Sequence, residues 1–164
     1  MLGAGRRNKP FPSVILHPAH CASVKDQGAD LTLCPSAPAA EGASLIGIVA
    51  ADGRVVNMGT PLPVDRAFLE AARAHGPPES RFRFSSPCQK ERCGHWTGSQ
   101  CKLIGELYDT AVQAEVNLTD ENLPRCSIRA QCRWWHQRGR AACAVCPLVV
   151  TDTRAWSSDN AEQR

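Results

Sequence analysis

Four cysteines close the C-terminal half of the chain as Cys126-x5-Cys132-x10-Cys143-x2-Cys146, and Pro147 follows the last of them. Three more, Cys88, Cys93 and Cys101, lie shortly upstream, so seven of the nine cysteines fall between positions 88 and 146. Thiolates are soft ligands, and so many in so short a stretch point to a soft metal centre. Two kinds of centre compete. A 4Fe-4S cluster takes four thiolates at loose spacings that commonly combine a close pair with a distant ligand. A structural zinc ion also takes four, usually from two tight pairs with two to four residues between them. Only Cys143 and Cys146 form such a pair, and five residues separate Cys126 from Cys132. The spacing favours the cluster, with zinc as the alternative. Free cysteine also serves as a small buried hydrophobe, but four within 21 residues, interleaved with Arg and Gln, suit a packed apolar face poorly.

The upstream group, Cys88-x4-Cys93-x7-Cys101, supplies three thiolates and needs a fourth ligand for a second site. His95 is one candidate, two residues beyond Cys93 in a loop punctuated by Gly94 and Gly98. Cys34 is another. It precedes Pro35 as Cys146 precedes Pro147, and a Cys-Pro step recurs at the end of bacterial ferredoxin motifs. Cys21, close to His17 and His20, is a third. With Cys34 the count reaches eight thiolates and two centres, leaving Cys21 over.

Arg125, Arg129, Arg133, Arg138 and Arg140 crowd one segment that also holds Trp134 and Trp135, with no acid between Glu121 and Asp152. Three readings fit. The arginines offset the negative charge of a thiolate-bound cluster, or they contact phosphates while an indole stacks on a base, or they line a solvated helix face. On the first reading Arg129, Arg133 and Arg138 surround the centre, and Trp134, two residues after Cys132, shields it from water. On the second, the same residues are nucleic-acid contacts.

The elements that must position these residues read as α+β. Residues 1 to 43 look irregular, with a linker-like run from Pro35 to Ala40. From 44 to 86 a small unit is expected. Leu45 to Ala50 and Arg54 to Met58 flank Asp52-Gly53 as a hairpin, and Asp65 caps a helix over Arg66 to Ala74 that Gly76 and Pro77 stop. Arg81 to Phe84 alternates as a short strand. Residues 87 to 152 form a loop-rich, cysteine-rich region organised by metal. It carries a helix from about Cys101, with Leu103, Ile104, Leu107, Tyr108 and Ala111 at helical spacing, and a short one over Ala130 to Arg138 that Gly139 ends. Residues 153 to 164 make a polar, frayed tail.

The chain has 164 residues, 43% hydrophobic and 5% aromatic, with 12 Gly and 12 Pro. That composition gives a modest core, which gains from cross-links or metals. A formal charge of +3 does not by itself mark a nucleic-acid binder. Neither a signal-peptide pattern nor an apolar run of membrane-spanning length is present, so the expected compartment is the cytoplasm, without a membrane partner. Thiols stay reduced there, and nine is an odd count for a disulfide framework. Enzyme chemistry has little support: the chain has no phosphate loop, nucleophile elbow or His-Glu-x-x-His helix. Glu106, Asp109 and Glu115 read as solvated positions of a scaffold helix, and Cys143-x2-Cys146 lacks the strand–helix frame of a thiol–disulfide enzyme.

The segment with Cys132-Arg133-Trp134 and Ala142-Cys143-x2-Cys146-Pro147 resembles the closing part of uncharacterised small bacterial cysteine-rich proteins. The resemblance spans roughly residues 88 to 152. That group has no established activity, so kinship is implied and no function. The function expected from the residues is a non-enzymatic metal-thiolate protein, an iron–sulfur electron carrier or redox sensor with a redox or protein partner. The alternative is a zinc-stabilised module that binds nucleic acid or a protein.

Overall fold

The computed structural model describes residues 32–116, 118 and 123–151. Four strands, β1 (Leu33–Ala37), β2 (Ser44–Val49), β3 (Val55–Pro63) and β4 (Phe82–Pro87), pair antiparallel in the order β1-β4-β2-β3. The β2–β3 hairpin turns where expected. Gly53 supplies a φ of 79° there, and Asp52 Oδ1 accepts from the Arg54 N–H at 3.0 Å. Short helices complete an α+β architecture: α1 (Arg66–Arg73), α2 (Leu103–Gln113), α3 (Arg133–Arg138) and α4 (Arg140–Val145).

At the centre of the sheet both faces are covered, and β2 shows why its apolar residues Leu45 and Ile46 follow one another. Leu45 joins Phe84, Leu69 and Val64 on one face, while the next residue, Ile46, joins Trp134, Ile104 and Val145 on the other. The first face lies under α1. Asp65 caps that helix by accepting from the Phe68 N–H at 2.8 Å, and Gly76, at φ 93°, follows its end. Phe68 packs against Phe82, ring centres 5.4 Å apart, and against Phe84 at 6.3 Å.

The second face carries the cysteine-rich part. Ile104 is 0% exposed and Trp134 1% exposed, so α2 and α3 are anchored to the sheet by one large side chain each. Gly139, at φ 55°, separates α3 from α4. The described residues form one compact unit, in which sheet and cysteine-rich half share a core. No described helix is long and apolar enough to cross a membrane.

The linker-like run needs correction. Leu33–Ala37 is a strand that pairs with β4, and Ala37, Ala39 and Ala43 are buried against Phe84 and Leu69. The Ala39 N–H donates to the buried carboxylate of Glu79 at 2.8 Å. Small alanines fit under the aromatic cluster, and pairing on one side satisfies an edge strand even with Pro35 in it. The irregular reading of residues 1 to 43 therefore fails over Leu33–Ala37, while residues 38–43 form no helix or strand. His17, His20, Cys21 and the tail after Thr151 lie outside the described residues.

Gly47 sits where the register of β2 slips against both neighbours. A Cβ there would stand 2.8 Å from the Val56 carbonyl oxygen and 3.0 Å from Val55 Cγ1. Gly47→Ala is expected to destabilise the fold by about 1–3 kcal/mol. A lowered urea midpoint checks this; an unchanged midpoint contradicts it.

Candidate metal centre

The four C-terminal cysteines come from three local structures. Cys126 sits in the chain leading to a short 3-10 turn (Arg129–Gln131), and Cys132 links that turn to α3. Cys143 and Cys146, three residues apart, share one face where α4 passes into the turn Cys146–Leu148. The fold ties these pieces to the sheet, because Cys132 forms a backbone bridge to Leu33 of β1. All four thiols line one cavity of about 20 Å³, beside Arg129 and Trp134.

Burial dominates their chemistry. It pushes the Cys132 thiol up to about 12, although the N–H groups of Trp135 and Trp134 face its sulfur and oppose the shift. It pushes Cys146 up to about 11 against the pull of Arg83, and raises Cys143 against a hydrogen bond from Arg129. With nothing bound, Cys132 and Cys146 are neutral thiols at physiological pH. A cation entering the cavity displaces their protons.

The upstream cysteines gather separately. Cys34 in β1 lies opposite Ser86 in β4, and the Cys88 N–H donates to the Thr32 carbonyl at 2.8 Å, so strand pairing brings Cys34 and Cys88 to one end of the sheet. Cys93 and Cys101 lie at the two ends of a closed loop. The Trp96 N–H donates to the Cys93 carbonyl, the Lys102 N–H donates to the His95 carbonyl, and Trp96 bridges Cys101. Gln137 of α3 clamps that loop, since its Oε1 accepts from the Cys101 N–H at 3.0 Å and its Nε2 donates to the Cys101 carbonyl at 3.1 Å. Cys34, Cys88, Cys93, Cys101 and His95 line a second cavity of about 110 Å³. Burial pushes the Cys34 thiol up to about 11, and Cys88, Cys101 and Cys93 are close enough to add to the shift.

One residue is electrostatically linked to both groups. Arg83 of β4 is 1% exposed, its Nη2 donates to the Cys146 carbonyl at 2.8 Å, and its guanidinium lies 5.9 Å from the Trp134 ring centre. Its Nε and Nη1 are buried without a hydrogen-bond partner, and among the described residues no carboxylate pairs with it. Desolvation makes its proton easier to lose, and the groups that oppose this are Cys146, Cys34 and Cys132. The sequence reading missed Arg83 as a functional residue. Its alternation between Phe82 and Phe84 placed it on the opposite face from the phenylalanines, correctly, but alternation alone does not say that this face is also buried.

The arginine-rich segment divides. Arg129 and Arg133 are half-buried and turn onto tryptophans, Arg129 over Trp135 at 5.7 Å and Arg133 over Trp96 at 5.2 Å. Arg125, Arg138 and Arg140 are exposed. Trp134, inside the core, lines both cavities and presents no face to a nucleobase in solution.

Among the described residues, no three His, Cys, Asp or Glu side chains are set to hold a single metal ion as they stand. The thiols are instead distributed around cavity walls. Compared with protein-family models, curated proteins and solved structures, the chain matches none.

Gln137→Leu removes both partners of the Cys101 peptide groups, which are part-buried. A loss of about 1–3 kcal/mol is expected, read from denaturant unfolding of the metal-free protein, and full stability in this variant would show that the clamp is idle.

Proposed function

We propose that the chain is a non-enzymatic iron–sulfur protein in which Cys126, Cys132, Cys143 and Cys146 hold a 4Fe-4S cluster for electron transfer or redox sensing. The observation that carries this reading is the buried guanidinium of Arg83, which has two unsatisfied N–H-bearing nitrogens and lies among thiols. An unpaired buried charge is costly, and unsatisfied buried donors call for an ion or acceptor. Four thiolates around iron supply that negative charge beside Cys146 and Cys132. Arg129, hydrogen-bonded to Cys143, adds to the same balance.

Other features agree. Trp134 and Trp135 wall the cavity, and apolar cover limits water and oxygen access at such centres. The backbone N–H groups facing the Cys132 sulfur are of the kind that tune cluster potential. When bound, the cluster supplies reversible one-electron chemistry. The protein's own residues supply the thiolates, the counter-charge and the cover.

A second reading has its own support. The C-terminal cavity, at about 20 Å³, is closer to the size of one ion than of a cluster, which favours a structural zinc ion and a module that binds a protein partner. The exposed Arg125, Arg138 and Arg140 would then be the residues left for nucleic acid.

Protein purified without oxygen is expected to be brown, with broad absorption near ~400 nm that bleaches on reduction. Cys132→Ala and Cys143→Ala should each lose iron from this site. Zinc without iron in the wild type overturns the redox reading, and unchanged metal content in both variants overturns the ligand assignment. Arg83→Met separates the two states of the protein. The metal-free form should be as stable as the wild type or more so, because a lone buried charge is gone. The loaded form should release its cluster faster or titrate at a lower potential, and a loaded variant that matches the wild type in both contradicts the counter-ion role.

A further inference from the structure

We infer that Cys34, Cys88, Cys93 and Cys101 form a second four-thiolate centre, separated from the first by Trp134, with His95 outside its ligand set. The inference rests on the metal-thiolate reading above, and not on which metal is bound.

Three observations carry it. The four thiols line a cavity of about 110 Å³, larger than the one at the C-terminal cysteines. Cys34 arrives from β1, far in sequence from the other three, which come from the residue after β4 and a closed loop. Hydrogen bonds to their own backbone place them rather than the centre itself, the Cys93 N–H donating to the Lys90 carbonyl. Strand register fixes Cys34 next to β4, the Thr32 carbonyl fixes Cys88, and Gln137 fixes Cys101. The cavity wall also holds an unsatisfied donor. Trp96 lines it, and the Trp96 indole nitrogen is buried without a hydrogen-bond partner. A thiolate or bridging sulfide is an acceptor for that N–H.

The choice of Cys34 over His95 follows from burial. Cys34 is half-buried in the sheet edge, with Cys88, Cys93 and Cys101 as its electrostatic neighbours. His95 borders the cavity but is exposed, and its backbone carbonyl is what closes the loop. Trp134 is the partition, since it lines both cavities from the core. Arg83 interacts electrostatically with thiols on both sides of it, Cys34 on one and Cys146 and Cys132 on the other, so one cation would serve both centres.

Iron, zinc and acid-labile sulfide are measured per chain in the wild type, a Cys88→Ala/Cys93→Ala double variant, Cys34→Ala, His95→Ala and Cys132→Ala. The wild type is expected to carry two centres' worth of metal. The double variant and Cys34→Ala should each retain about half, as four-thiolate centres lost one at a time require, and His95→Ala should retain all. One centre's worth in the wild type, unchanged in the double variant and lost in Cys132→Ala, overturns the second centre and leaves the first standing. Half the metal lost in the double variant with none lost in Cys132→Ala supports the second centre and removes the first. Retention in Cys34→Ala with loss in His95→Ala overturns the ligand set. If the cysteine variants do not fold, the wild-type stoichiometry decides between one centre and two.

Discussion

The guanidinium of Arg83 is buried to 1% exposure on a central strand, with a hydrogen bond to the Cys146 carbonyl and, among the described residues, no carboxylate paired with it. A cation so placed is tolerable only where anionic charge comes close, because desolvation costs several kcal/mol. Its surroundings offer thiols from both cysteine groups and the face of Trp134. The second face of the sheet thus carries a buried positive charge among thiols. Strand alternation in β4 puts Arg83 on this face, against Trp134, and Phe82 and Phe84 on the other.

The two cysteine groups are positioned by different means. The C-terminal four depend on local turns: a 3-10 turn before Cys132, a helix end at Cys143 and Cys146, and a backbone bridge from Cys132 to β1. The upstream four depend on sheet register and on a loop closed by its own hydrogen bonds. Gln137 and Trp134, both on α3, couple them, the first through the Cys101 peptide and the second as the wall between the cavities. A short helix of six residues therefore serves both groups. Its own propensity is weak, and its placement comes from Trp134 in the core.

Local signals in the sequence were sufficient for local structure. Asp52-Gly53 marked the hairpin, Asp65 marked the start of α1, and the spacing of Leu103, Ile104, Leu107 and Ala111 marked α2, because turn chemistry, capping and helical period act within a few residues. Strand β1 was hidden, since Pro35 and the alanines around it carry a linker's composition while their burial is decided by β4 and α1, far away in sequence. The same limit applied to the site. Spacing grouped Cys126, Cys132, Cys143 and Cys146, which line one cavity, but it left the partner of Cys88, Cys93 and Cys101 open among His95, Cys34 and Cys21. Only the β1–β4 pairing brings Cys34 beside them. Arg83 was invisible as a counter-charge because no sequence pattern reports that both faces of β4 are covered.

The central claim is that these thiolates hold iron and sulfide. X-ray absorption at the iron edge, on protein purified without oxygen, tests it most directly. Iron surrounded by sulfur with a second shell of iron neighbours is the expected result, the signature of a cluster bound by cysteine. A zinc edge with a sulfur shell alone, or a protein that binds neither metal, would contradict it.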